Sequence, residues 1–299
     1  MTTHKDTLGD RMKGHEENAI RHDGETGQGP VVIRLDGCAF HTWTKKMKLK
    51  TPFDDVFIGI MQDTMMHLCK SIPSCVFGYC QSDEISLCLR NDMSDKTEPW
   101  FENRIQKICS VTASMAAGIF NRLVDKRIIH DHINPSQTIT QEQLEELRKQ
   151  LDMSMLNPDW TIIQNGDYSE LHCFDLACFD SRVLFMPDLE EAINHFIWRQ
   201  NDCMRNSVQS MAQSLYSQKH LQNKGTEELK QMISDKGMSW NEIPLHHQRG
   251  SFCIRTIART ECRGCMMDRR TWIIDKEPPI ISKNKQYLRN SYYLERPLN

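Results

Sequence analysis

The chain has 299 residues, with 37 Lys and Arg against 40 Asp and Glu, for a formal charge of −3. That near balance excludes a wholly basic nucleic-acid binder, so any nucleic-acid surface must come from local clustering, and no apolar stretch reaches the ~20 residues needed to span a bilayer. Twelve cysteines accompany no secretory signal, and several (Cys69, Cys88, Cys109) sit in apolar or helical runs, which reads as reduced thiols of a cytoplasmic protein without a membrane partner.

In chain order, Lys5 to His22 predicts a helix, followed by a Gly-rich hinge from Gly24 to Gly29. Pro30 opens a strand, Val31-Val32-Ile33-Arg34-Leu35, that ends at Asp36-Gly37. Phe53 to Ser71 carries Phe57, Ile60, Met61, Met65 and Leu68 at helical spacing and is closed by Pro73. Cys75 to Cys80 and Ile85 to Leu89 predict a hairpin with Gln81-Ser82-Asp83-Glu84 at its tip. A long helix is expected from Trp100 past Phe120.

The character then changes. Residues 121–171 are polar, contain Asn134-Pro135 and Asn157-Pro158, and predict one helix from Thr140 to Leu151 opened by a capping box of Thr140 and Gln143. This stretch reads as an insertion on the rim of the fold. A strand from Ser181 to Met186 follows, then a helix from Asp188 to Ser217 with an apolar stripe at Leu189, Ile193, Phe196, Ile197, Met204, Val208, Met211 and Leu215. Arg199, Asp202, Asn206 and Gln213 share its second face. Ser251 to Thr256 and Thr271 to Asp275 read as a hairpin made basic by Arg255, Arg259, Arg263, Arg269 and Arg270. The organisation expected is an N-terminal helix and hinge (1–29), a central unit (30–187, with the insertion at about 122–170) and a C-terminal lobe (188–299).

Two aspartates carry the chemistry. Asp36 and Asp83 each follow a β-branched or apolar run, so each carboxylate is delivered to the end of a buried strand, where it can meet a hard divalent cation. Paired carboxylates of this kind suit a two-metal phosphoryl displacement, in which the ions clamp the attacking and departing oxygens. Each aspartate taken singly reads first as a turn or strand cap, and it is the pair in matching strand context that favours the metal reading. Cys262-Arg263-Gly264-Cys265 has the spacing of half a zinc knuckle, with Cys253, His246 and His247 as the only nearby candidates for further ligands.

Arg34-Leu35-Asp36-Gly37, Phe40-His41, Pro52 and Asp54, Gly78-Tyr79 with Gln81-Ser82-Asp83-Glu84, Phe179-Asp180 with Arg182 and Pro187, and Trp198-Arg199-Gln200 with Asp202 occur in the order and approximate spacing of one family. In these motifs the chain resembles the tRNA(His) guanylyltransferases, and in particular their bacterial or phage-type 3'-to-5' polymerases. The resemblance implies an α+β fold with a polymerase-palm-like, ferredoxin-like βαββαβ core, and a homo-oligomer, usually a tetramer. It implies activation of a tRNA 5'-monophosphate by a nucleoside triphosphate, usually ATP, followed by attack of the 3'-hydroxyl of GTP or another nucleotide on the activated end.

Carried over by the same resemblance, Asp36 and Asp83 hold two Mg2+ ions, with the Gly37 carbonyl completing one shell and Glu84 adjoining the site as a third catalytic carboxylate or as a solvated tip residue. Gly37, Cys38, Ala39, Phe40 and His41 are expected to wrap the triphosphate with backbone N–H groups, with Ser82 beside them and His41 in a positioning role. Lys45, Lys46, Lys48 and Lys50 follow as a basic cluster, either a phosphate contact or a solvated loop. Lys50 lies one residue earlier than the family's usual lysine, since Thr51 precedes Pro52. Arg199, Arg205 and Asn206 are candidates for RNA contact. Cys203-Met204-Arg205-Asn206-Ser207 stands where eukaryotic members carry a His-Ile-Asn-Asn stretch associated with the histidine anticodon, and this favours template-dependent repair of 5'-truncated tRNAs over dedicated guanosine addition to tRNA(His). A nucleotide cyclase and a non-catalytic RNA-binding palm protein are the rival readings.

Overall fold

The computed structural model describes residues 7–21, 29–47, 49–91, 98–132, 176–262 and 265–293. The expected helix from Thr140 to Leu151, with its capping box of Thr140 and Gln143, lies outside the described residues, as does most of the Gly24 to Gly29 hinge. The elements are α1 (Thr7–Arg21), β1 (Val31–Gly37), α2 (Phe40–Lys46), α3 (Asp55–Ser71), β2 (Cys75–Gln81), β3 (Glu84–Leu89), α4 (Ile105–His132), β4 (Phe179–Phe185), α5 (Leu189–Leu215), α6 (Gln218–Leu221), α7 (Thr226–Asp235), α8 (Leu245–Arg249), β5 (Ser251–Cys262), β6 (Cys265–Asp275) and α9 (Gln286–Tyr293).

The six strands form one antiparallel sheet in the order β4-β1-β3-β2-β5-β6. Its first four strands, with α3 and α4 as the connecting helices, have the order of a ferredoxin-like βαββαβ unit, so the α+β expectation holds. The boundary expected at 187/188 does not divide the sheet, because β5 pairs with β2 from Ser251 to Ile254. From there the β5–β6 hairpin runs on to Cys262 and Cys265, well past the expected ends at Thr256 and Thr271.

Alternation along β1 sorts its side chains between two cores. Val31, Ile33 and Leu35 pack with Ile60, Met61, Met65 and Leu68 of α3 and with Ile108 and Phe120 of α4. Val32 faces the other way, against Ile193, Phe196 and Ile197 of α5. Arg34 and Asp36 share that second face. The sheet is therefore the middle layer of three, and a one-residue slip of β1 would exchange its charged and apolar sides.

Local chemistry sets the helix starts. Asp54 caps α3 by accepting from the Phe57 N–H (2.9 Å), and Asp188 caps α5 by accepting from Glu191 (2.8 Å). Before α4, Phe101, Glu102 and Asn103 take left-handed φ of 51°, 54° and 58°, so the helix expected from Trp100 begins only at Ile105. Asn121 of α4 both donates to and accepts from the backbone of Ala177 (2.8 and 3.0 Å), and Thr112 meets Ser181 (2.8 Å), which ties the start of β4 to α4. The far half of α5 packs Val208, Met211 and Ala212 against Leu229 and Ile233 of α7.

Helix α2 was not anticipated. The stretch after Gly37 was expected as an open phosphate loop, but only Cys38 and Ala39 form a turn. Phe40 and Trp43 then enter a buried aromatic cluster with Phe57, Phe120 and Phe179, ring centroids 5.1–6.3 Å apart. That burial winds the segment into a helix too short to be marked by periodicity.

Candidate active site

Strand register brings four acidic residues to one end of the sheet. Asp36, near the end of β1, is paired with Glu84 of β3 on one side and Asp180 of β4 on the other. Asp83 occupies the two-residue turn between β2 and β3, where Ser82 takes a left-handed φ of 47°. The turn is locked to β1 by the Gly37 N–H, which donates to the Asp83 carbonyl (3.0 Å). Burial pushes the Asp83 carboxyl above the usual range, and the charge of Asp36 adds to that; an internal backbone bond and the Ser82 hydroxyl act against it.

Glu84 is neither solvated nor free. It is 5% exposed, and both carboxylate oxygens face guanidinium groups: Oε1 accepts from Arg199 Nε (2.6 Å) and Oε2 lies 3.3 Å from Arg34 Nε. Gln81 Nε2 adds a long contact to Oε1 (3.4 Å). Burial raises its carboxyl, and Arg199 and Arg34 hold against that rise. The role that geometry gives Glu84 is to fix Arg34, whose Nη2 lies 3.7 Å from Asp36 Oδ2. Among the described residues, Asp36, Asp83 and Glu84 do not bring one ligand atom apiece into a compact triad.

The network continues onto α5. Arg199 Nη2 reaches Asp202 Oδ2 (3.0 Å), Arg205 reaches Asp202 Oδ1 (2.9 Å), and Asn206 donates to Asp202 Oδ2 (3.2 Å). Arg199, a candidate for RNA contact, is turned inward. It is 9% exposed, lies over the Trp198 ring (4.6 Å), and its guanidinium is spent on Glu84 and Asp202. Burial opposes its charge, but Glu84 holds it above its ordinary value. Arg205 and Asn206 are exposed, and Arg205 lines a cleft of about 580 Å³ together with Trp198, Asn201, Met204, Lys230 and Trp240.

The turn after β1 narrows the expected phosphate cradle. The N–H groups of Gly37 and Cys38 are engaged by the carbonyls of Asp83 and Cys178 (3.0 and 2.8 Å), and those of Thr42 and Trp43 by Ala39 (2.9 and 3.1 Å). Among the described residues no acceptor meets the N–H groups of Ala39, Phe40 or His41. Ala39 takes a left-handed φ of 54°, and His41 is exposed. The room left by Gly37 serves the fold instead, since a Cβ there would lie 2.3 Å from the Phe40 ring. Burial and Asp180 push the Cys38 thiol up.

The lysines divide. Lys45 and Lys46 sit in the last turn of α2, where cations favour the helix dipole. Lys48 lies outside the described residues. Lys50 is exposed, with its N–H anchored to Asp54 Oδ2 (2.9 Å). Arg34, Asp180 and Asp202 were missed as site residues; the two-residue spacing of Arg34 from Asp36 was the available signal.

The zinc-knuckle expectation is not supported by its proposed partners. Cys253 and Cys262 stand nine residues apart on one strand, about 30 Å at 3.3–3.4 Å per residue. His246 and His247 precede that strand and face Asp55 instead. The side chains of Cys262 and Cys265 lie outside the described residues.

Residues 9–187 match the tRNAHis guanylyltransferase family. The chain belongs to that family and is a nucleotidyltransferase. A bacterial tRNA(His) guanylyltransferase-like protein solved with ATP is 30% identical, with a TM-score of 0.67 over 96% of this chain and 100% of that one; one solved with GTP is 32% identical with a TM-score of 0.63 and the same coverage. An uncharacterized protein of Acanthamoeba polyphaga mimivirus is 26% identical over 265 residues, 85% of this chain and 79% of the viral one. Among the described residues no helix is long and apolar enough to cross a membrane.

Proposed function

We propose that this chain uses a nucleoside triphosphate to activate the 5'-monophosphate of a tRNA and then adds nucleotides in the 3'-to-5' direction, acting as a template-dependent repair enzyme for truncated 5' ends. The observation that carries the reading is the convergence of Asp36 and Asp83 at one sheet end, brought about by strand register. A single phosphoryl centre there would serve both steps, since activation and addition each displace a phosphoryl group in line.

The donor set fits magnesium. Asp36 and Asp83 offer only hard oxygens, and a bound cation would offset the burial that pushes the Asp83 carboxyl up and the smaller repulsion that Asp36 adds. Asp36, Asp83 and the Gly37 carbonyl would hold it. When bound, the ions supply Lewis-acid stabilisation and lower the pKa of the attacking hydroxyl. The chain does the rest: Arg34, fixed by Glu84, orients Asp36; the N–H groups of Ala39, Phe40 and His41 are the part of the turn open to phosphate oxygens; Lys50 is the candidate cation for the triphosphate. ATP as activator and GTP as one incoming nucleotide are supported by the two bacterial relatives solved with those ligands.

Arg205 and Asn206, with the aromatic cleft beside them, are the RNA-facing candidates that remain on α5. Repair is favoured over tRNA(His)-only addition because Met204 and Arg205 depart from the anticodon-associated stretch, of which Asn206 alone is kept. We also assign the chain a homotetrameric state, on the family resemblance. The deciding experiment supplies ATP, labelled nucleotides and Mg2+ with two substrates: tRNA(His) lacking its extra guanosine, and a 5'-truncated non-histidine tRNA with the opposing base varied. Comparable rates that follow complementarity support repair. Exclusive addition to tRNA(His), independent of the opposing base, would overturn it.

A further inference from the structure

Outside the carboxylate set, a second cluster joins α3 to α8. Asp55, the first residue of α3, is exposed, while the His247 side chain is nearly buried against it. His247 Nε2 lies 2.9 Å from Asp55 Oδ1, and His246 Nε2 lies 4.0 Å from the same oxygen. The two imidazoles meet edge to face at 4.3 Å, and Phe53 stacks on His247 at 4.8 Å, which restrains that ring. One ligand atom from each of the three residues lies within 4.8 Å of the other two.

A lone histidine–aspartate hydrogen bond would explain the 2.9 Å contact. It does not explain why the adjacent histidine turns its Nε2 toward the same oxygen. Metal–ligand bonds of ~2.0–2.2 Å in tetrahedral geometry place ligand atoms about 3.4 Å apart. A small rotation of the exposed Asp55 side chain serves to open its 2.9 Å contact with His247 and close its 4.0 Å distance to His246. Two imidazole nitrogens and one carboxylate form a borderline-soft donor set, suited to zinc, cobalt or nickel rather than magnesium.

We propose that Asp55, His246 and His247 bind one divalent transition-metal ion of the zinc class, with a fourth position left to solvent. The ion clamps the start of α3 to the segment that leads into β5. Asp54, next to Asp55, caps α3 and holds the Lys50 N–H, so the clamp also steadies the Lys50 segment. In metal preference it is separate from the Asp36 and Asp83 site.

The test uses the full chain, stripped with chelator and titrated with Co2+. The expected result is one equivalent giving the intense visible d–d absorption of a four-coordinate ion, without a near-ultraviolet thiolate band, and displaced by Zn2+. The band should persist in Asp36→Ala. In Asp55→Ala and in the double variant His246→Ala with His247→Ala, affinity should fall by about 100-fold or more, since even an outer-sphere partner is worth ~10–100-fold. Zn2+ should raise the melting temperature of the wild type but not that of Asp55→Ala, an exposed position whose replacement leaves the core intact. Unchanged Co2+ affinity in Asp55→Ala, or a thiolate band lost on Cys262→Ser with Cys265→Ser, would overturn the assignment.

Discussion

Removing the Glu84 carboxylate is the most searching perturbation of the charged network. In Glu84→Ala two buried guanidinium groups, Arg34 and Arg199, lose a shared partner in one step. Breaking a buried ion pair from one side costs ~3–5 kcal/mol. Each arginine keeps a second acidic neighbour, Asp36 at 3.7 Å and Asp202 at 3.0 Å, so the low end of that range applies, about 3 kcal/mol. At roughly 2–4 °C per kcal/mol for a large domain, the melting temperature should fall by about 6–12 °C. Urea unfolding at equal protein concentration should give the same figure as a drop in midpoint without a change in slope. Glu84→Gln keeps an acceptor for Arg199 but loses the charge, so it should fall between wild type and Glu84→Ala. Because Glu84 acts through Arg34 on Asp36, folded Glu84→Gln should need more Mg2+ for half-maximal addition. A Glu84→Ala stability within about 0.5 kcal/mol of wild type, the range of a surface change, would refute the buried network and return Glu84 to a solvated hairpin tip.

Three further outcomes are expected. Asp36→Ala or Asp83→Ala should abolish both 5'-activation and nucleotide addition while leaving the circular dichroism of the protein unchanged; near-normal addition in either would remove the shared phosphoryl site. Gly37→Ala drives a methyl into the Phe40 ring, 2.3 Å away, and should cost ~1–3 kcal/mol as overpacking does; Phe40→Leu added to it should recover part of the loss, and no recovery would mean that the strain lies elsewhere. His195 is buried, with its Nε2 3.4 Å from Ser86 Oγ, and burial first, then Arg199 and Arg34, hold it well below its ordinary 6.5. The folded state therefore takes up that proton less readily than the unfolded state, and stability should be full above about pH 6.5 and fall by ~1.4 kcal/mol per pH unit below it. His195→Gln should lack that component of the slope, while the contribution of His246, whose pKa is lowered to about 4, is common to both proteins; parallel slopes for the two proteins would contradict the burial argument.

The sequence by itself determined the elements whose signal is local. The β-branched apolar run from Val31 marked a strand, helical spacing marked α3 and α5, and Asp54 and Asp188 stand where helix caps belong. The two strand-end aspartates were legible for the same reason, since each follows its own apolar run. Tertiary structure alone decided what depends on partners distant in the chain. Glu84 is buried because Arg199, 115 positions away, comes down onto its strand, and no window of sequence holds both charges. The same contact makes Arg199, a candidate for RNA contact, an internal counterion. Helix α2 forms because Phe40 and Trp43 find Phe120 and Phe179, whose burial supplies what seven residues of helix propensity lack. Asp55 met His246 and His247 only when α3 and α8 were packed together. Local periodicity fixes which face a residue occupies, whereas packing between elements fixes which charges and donors it meets there, and the pairing of these charges was written in packing.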